Sequence, residues 1–236
     1  MLVKDIEVAL SLAGRRGWNP DNDSISRSAF IHLLRRLEKS NDEIRIVQLG
    51  GGQAIWVWNS LHELNLLPIK TTIIEHHPAR ASQLIQNAEA MTGIDVHWSC
   101  LKQLTDEERE DLFNNPAEAN EKCGRLGKYV KTDQYDHYQI RNAFYGELSQ
   151  FTFLNESIDV LIVDGPHGNG RSLVFTWLYL KLKENALILI DDFNHYPFVA
   201  DLERLFSYEE LHRDTWGDQV WLLLRLKGKL AIKESV

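Results

Sequence analysis

Residues Ile44-Arg45-Ile46-Val47-Gln48-Leu49-Gly50-Gly51-Gly52-Gln53-Ala54 decide how this chain is read. A short run rich in β-branched and apolar side chains leads straight into three glycines. Such a run reads as a strand buried on both faces. Glycines after it let the backbone turn sharply and approach another group closely. Ala54–Leu64 reads as the helix that follows. Lys70–Glu75 is a second strand, ending in an acid, and Pro78–Met91 is a helix with proline in its first turn. Ile94–Trp98 is a weaker third strand. Ile158–Asp164 and Ala186–Asp191 are strong fourth and fifth strands, with a helix over Ser172–Leu182 between them. Strands alternating with helices predict a parallel sheet covered on both faces.

Working outward, Met1–Ala13 places Leu2, Ile6, Ala9, Leu10 and Ala13 at helical spacing. Gly14–Asp23 reads as a loop, and Ser26 can cap a second helix over Arg27–Lys39. These helices, within residues 1–40, are expected on the sheet edge or over its top. Downstream, a helix near Phe198–Phe206 precedes Glu210–Thr215 and Gln219–Leu226, which flank Trp216-Gly217-Asp218 as a β-hairpin. Residues 102–150 fit no βα unit. They hold an acidic helical stretch, Thr105–Phe113, and the aromatics Tyr129, Tyr135, Tyr138, Phe144 and Tyr145. That is too long for a plain connection. It is either an insertion shaping a substrate pocket or a decorated loop with a small core of its own. The whole, 1–236, reads as one domain.

Composition narrows the function. The 236 residues carry 26 Lys+Arg against 34 Asp+Glu, a net charge of −8, so no nucleic-acid partner is expected. No apolar run reaches the length of a membrane span. The N-terminus, with Asp5 and Glu7, lacks the pattern of a signal peptide. Cys100 and Cys123 are too few for a disulfide framework or a zinc site. A cytoplasmic location with no membrane partner is therefore expected, and the oligomeric state stays open.

Two constellations carry chemistry. The first joins the glycine turn to Glu75, 25 residues after Gly50. A carboxylate at the end of a second parallel strand can accept hydrogen bonds from both ribose hydroxyls of an adenine nucleoside. The second lies at the ends of strands four and five, Asp164-Gly165-Pro166-His167-Gly168 and Ile190-Asp191-Asp192-Phe193. Three converging carboxylates repel one another unless a cation, a proton or hydrogen bonds compensate. Asp164, Asp191 and Asp192 are thus candidate ligands for Mg²⁺ or another divalent cation; the alternative is a helix cap and a turn. His167, or else His195, is a candidate general base. Arg171 is either an acceptor contact or a surface ion pair, and Trp98 either stacks on adenine or fills a core.

With these residues in place, the chain resembles the class I S-adenosylmethionine-dependent methyltransferases from about Ile44 to Leu226. Gly50 and Gly52 match that family's acidic-x-Gly-x-Gly-x-Gly motif; Gln48 stands where an acid is usual and Ala54 where the last glycine is usual. The resemblance implies a Rossmann-like three-layer α/β/α fold with a mostly parallel seven-stranded sheet, order 3-2-1-4-5-7-6. It implies S-adenosylmethionine held by Gln48, Gly50, Gly51, Gly52, Glu75 and Asp164. The Asp-Gly-Pro-His-Gly and Ile-Asp-Asp-Phe pair is similar to macrocin-type and glucuronoxylan-type O-methyltransferases. That implies methylation of a hydroxyl on a small molecule or sugar; Asp164, and His167 from its place in the loop after strand four, are the expected catalytic residues. Two rivals remain: an NAD-dependent oxidoreductase, and a non-catalytic methyltransferase-like scaffold.

Overall fold

A computed structural model describes residues 1–20, 25–37, 42–135, 140–216 and 219–230. Its centre is a seven-stranded sheet. The strands are β1 (Ile44–Leu49), β2 (Ile69–Glu75), β3 (Ile94–Trp98), β7 (Ile158–Val163), β8 (Leu182–Asp191), β9 (Phe206–Asp214) and β10 (Trp221–Lys229). They lie in the order β3-β2-β1-β7-β8-β10-β9. Counted within this sheet alone, that is 3-2-1-4-5-7-6. Strands β3, β2, β1, β7 and β8 are parallel, and β10 and β9 close the sheet antiparallel. The ends of the parallel strands therefore share one edge. The order reverses between β1 and β7, where such sheets bind ligands. Of the expected hairpin turn, Gly217 and Asp218 lie outside the described residues.

Alternation along the strands assigns the two faces. Ile46, Ile73, Val160, Ile162, Leu189 and Leu223 face one core, with α1 (Val3–Arg15), α2 (Arg27–Arg36) and α3 (Ile55–Glu63). Val47, Leu49, Ile74, Leu161, Val163 and Ile188 face the other. There they meet α5 (Asp106–Asn114), α6 (Ala119–Cys123), α7 (Leu173–Trp177) and α8 (Phe198–Glu203). Helix α4 (Pro78–Ala88) follows β2 and sends Leu84 into the first core. Helices α1 and α2 thus cover a face of the sheet, not its edge or top. Their buried stripes, Ile6-Ala9-Leu10-Ala13 and Ala29-Phe30-Leu33-Leu34, make this possible. Ser26 caps α2 as expected, accepting from Ala29 N at 3.1 Å.

Two readings are corrected. The helix expected over Ser172–Leu182 is only one turn long, and β8 begins at Leu182, not Ala186. Leu178 and Leu182 have helical spacing, but Leu182 pairs with Ile158 in the sheet. A register shift and a left-handed Asn185 (φ 69°) then carry the chain into the buried part of the strand. The second correction concerns the long connection. It builds a small antiparallel sheet from β4 (Leu101–Gln103), β5 (Lys128–Tyr129) and β6 (Ala143–Tyr145), ordered β5-β4-β6. Phe144, Tyr145, Leu148 and Phe151 join the main core, so it is no satellite. Thr105 and Glu108 form a reciprocal cap on α5.

Candidate functional site

Strand β1 delivers the glycine turn to the point where the sheet order reverses. Gly50 has φ +87°, and a Cβ there would lie 2.8 Å from Gly165 N. Only glycine permits this close passage of the turn after β1 against the loop after β7. At Gly51 a Cβ would strike Leu84 of α4. Gly52 opens a short 3₁₀ turn over Gly52–Ala54 that leads into α3.

Gln48 braces this turn from beneath. It shares a strand face with Ile46, so it points under α3 and is fully buried. Its amide donates to Gly50 O at 2.8 Å and Gly51 O at 3.0 Å, and its carbonyl accepts from Trp58 Nε1 at 2.8 Å. A carboxylate has no donor for the two glycine carbonyls. The amide at this position is therefore what this turn requires, and Gln48 is already committed inside the protein.

Glu75 ends β2 on the other side of the turn. It too is fully buried. Gly51 N donates to Oε2 at 2.9 Å and His77 N to Oε1 at 2.7 Å, and His76 Nδ1 lies 3.1 Å from Oε1. Burial alone would raise its pKa. The His76 imidazole beside Oε1 and the two backbone donors outweigh burial and bring the pKa down to about 2. Glu75 is a fixed anion. His76 packs on Tyr135 and Tyr145, with ring centroids 5.8 and 6.2 Å away. Trp98, a third exposed at the end of β3, donates its Nε1 to His76 O at 3.0 Å. Its indole is thus neither core filler nor free, and it holds the segment after Glu75.

The ends of β7 and β8 have a different character. Asp164, Asp191 and Asp192 are half-buried there. Burial pushes the Asp164 carboxyl up, and the charges of Glu75 and Asp192 add to it, against the opposing pull of Arg171. Burial, Asp164 and Asp192 push Asp191 up in the same way. His167 is exposed on the loop after β7; desolvation and the Arg171 cation lower its pKa, so it is a neutral base at neutral pH. His195 is exposed too, its Nδ1 3.8 Å from Asp192 Oδ2.

Arg171 overturns its expected roles. It is 2% exposed, so it is neither a surface ion pair nor an acceptor contact. Its Nε donates to Pro166 O and its Nη1 to Asp191 O, both at 2.9 Å, and its guanidinium lies 5.2 Å from the Phe198 ring centre. One buried cation ties the loop after β7 to the end of β8 and offsets the acids above it. The structure lends no support to the divalent-metal expectation at Asp164, Asp191 and Asp192. Among the described residues no three His, Cys, Asp or Glu side chains are grouped to hold a metal ion. Arg171 and the raised proton affinities of the aspartates answer the repulsion instead. Asp192 sits in a left-handed turn (φ 51°), as the simpler turn reading has it.

Tyr145 was visible in the sequence only as one aromatic among several. Its hydroxyl lies 3.1 Å from both Gly50 N and Ile74 O, beneath the glycine turn. No spacing rule signals such a contact, because it joins residues 95 and 71 positions apart. Arg171 was the more findable, since three expected carboxylates at one edge call for a buried cation.

No family model and no curated protein matches the chain. Solved structures with a similar course of the chain include a precorrin-6y C5,15-methyltransferase from Geobacter metallireducens GS-15. It is 12% identical, with 90% of this chain and 96% of that one covered and a TM-score of 0.48. A SAM-dependent methyltransferase from Aquifex aeolicus is 9% identical, with 89% and 98% covered and a TM-score of 0.46. The fibrillarin pre-rRNA processing protein of Methanococcus jannaschii is 15% identical, with 90% and 78% covered and a TM-score of 0.47. Among the described residues no helix is long and apolar enough to cross a membrane.

Proposed function

We propose that this chain binds S-adenosylmethionine at the shared strand edge and directs methyl transfer to a hydroxyl of a small molecule or sugar. The observation that carries the reading is Glu75. It is a carboxylate held ionised at the end of β2, bonded to the glycine turn, at the point where the sheet order reverses. His77 N and His76 crowd Oε1, while Oε2 keeps a lone pair beyond that used by Gly51 N, which suits a ribose hydroxyl. When bound, the cofactor supplies an electrophilic methyl group on a sulfonium. The chain's own residues hold and orient the reactants and take up the acceptor's proton. His167, exposed on the loop after β7 and with its pKa lowered, is the base in this reading. Asp164 lies against the glycine turn and orients the acceptor or the cofactor. No step in this reading uses a metal.

Two observations favour a second reading, a methyltransferase-like scaffold without turnover. Gln48 is spent on the turn, and Glu75 has no exposed surface until its cover shifts. The two readings separate on turnover. The protein is incubated with methyl-labelled S-adenosylmethionine and a panel of hydroxylated small molecules and sugars. Label transfer that falls at least tenfold in His167→Ala supports the enzyme. Ligand-induced thermal stabilisation without transfer supports the scaffold. Stabilisation by NAD but not by S-adenosylhomocysteine would sink both.

A further inference from the structure

A side chain of the connection between β3 and β7 reaches the glycine turn. Tyr145 on β6 is 2% exposed, and its phenol acts at once as acceptor from Gly50 N and donor to Ile74 O, each at 3.1 Å. Gly50 N also donates to Ile74 O directly, at 2.9 Å. A Cβ on Gly165 would lie 3.5 Å from the same hydroxyl. One oxygen atom thus borders the ends of β1, β2 and β7, the strands around the switch point. Its own placement is firm. Tyr145 pairs with Leu101 in the small sheet, Gly146 N donates to Cys100 O at 2.7 Å, and the Phe144 ring lies 5.3 Å away. A buried hydroxyl stays in place when both its donor and acceptor capacities are used.

We infer that Tyr145 is a positioning residue for the cofactor site, coupling the inserted sheet to the glycine turn. It touches no reacting atom; it sets where Gly50 and Gly51 present their backbone. The inference rests on the cofactor reading above for what the turn binds, but not for the coupling itself. A ligand on the turn then stiffens β6, and by reciprocity a change at β6 alters affinity at the turn. Whatever acceptor the inserted segment shapes a place for would be sensed by the cofactor loop through this phenol.

Tyr145→Phe isolates the tie. The ring stays, and Gly50 N and Ile74 O keep each other as partners, so no buried group is orphaned and the fold survives. Hydrogen exchange is measured on wild type and Tyr145→Phe, with and without S-adenosylhomocysteine, together with its binding constant. Without ligand, Gly50–Gly52 should exchange several-fold faster in the variant while β7 and β8 are unchanged. Binding should weaken about fivefold, the value of one buried hydrogen bond. The ligand should slow exchange over Ala143–Tyr145 in wild type and not in the variant. Equal unliganded exchange at Gly50–Gly52 in the two proteins overturns the inference, whether or not ligand binds. If wild type binds no S-adenosylhomocysteine, the cofactor reading falls, and the unliganded comparison still decides the role of Tyr145.

Discussion

Two groups of carboxylates share one edge of the sheet and are tuned in opposite directions. Glu75, at the end of β2, is buried completely yet stays an anion with a pKa of about 2. Asp164 and Asp191, at the ends of β7 and β8, are less buried and are pushed above the usual carboxylate range. Burial acts the same way on all three. The difference lies in the donors. Glu75 has Gly51 N, His77 N and His76 against it, whereas the aspartates face one another with Arg171 as the cation that acts on both. Carboxylates with divergent proton affinities in one site mark divergent duties. One side keeps a constant charge that accepts hydrogen bonds, and the other takes up a proton more readily.

Four changes test this contrast. The largest effect is expected from Arg171→Met, which removes the cation beneath the acids and two bonds to buried carbonyls. Chemical denaturation should show a loss of about 3–5 kcal/mol, and a loss under 1 kcal/mol would mean that Arg171 is not what steadies the β7 and β8 ends. Glu75→Ala strips Gly51 N and His77 N of their acceptor, for an expected cost of about 2–4 kcal/mol. Unaltered stability there would show that the binding side is not the pre-bonded anion described. Gln48→Glu supplies the acid usual in the resembled family. Here it sets a carboxylate against two carbonyl oxygens, and the melting temperature should fall by several degrees, for about 2 kcal/mol. A rise would break the bracing role assigned to Gln48.

The smallest effect is in pH dependence, and it separates the two sides by sign. Glu75 binds its proton less readily folded than unfolded. Its contribution is present above the ordinary glutamate range and lost as pH falls towards about 2. Asp164 and Asp191 bind protons more readily folded than unfolded. Their contribution is full below the ordinary aspartate range and lost as pH rises through their raised values. Asp191→Asn removes part of the second dependence. Its melting temperature relative to wild type should therefore be more favourable at pH 8 than at pH 4. An equal offset at both would contradict the raised proton affinity of Asp191.

How far the sequence could be read follows the same divide. Strands β1 and β3 fall at Ile44–Leu49 and Ile94–Trp98 as expected, and the positions of the glycine turn and Glu75 follow from them. Strands buried on both faces show their whole length as apolar residues. Strands β4, β5 and β6 span two or three residues each, too short for any period to appear. Convergence of Asp164 and Asp191 at one edge was legible from parallel topology. What compensates them was legible only in kind: three acids at one edge call for a cation, but no spacing signals that Arg171 is the one buried there. The turn of Gln48 away from the edge was implicit in strand alternation, since it shares a face with Ile46 and lies under α3.

The central claim is that Glu75 is the anion on which the cofactor nucleoside is held. Calorimetric titration of S-adenosylhomocysteine into wild type and Glu75→Gln at pH 7 tests it most directly. The amide keeps the shape and an acceptor oxygen for the backbone donors but loses the charge. The account predicts one site per chain in wild type and binding at least about tenfold weaker in Glu75→Gln, the loss expected for a charge-assisted hydrogen bond. No binding by wild type, or equal affinity in the two proteins, would contradict it.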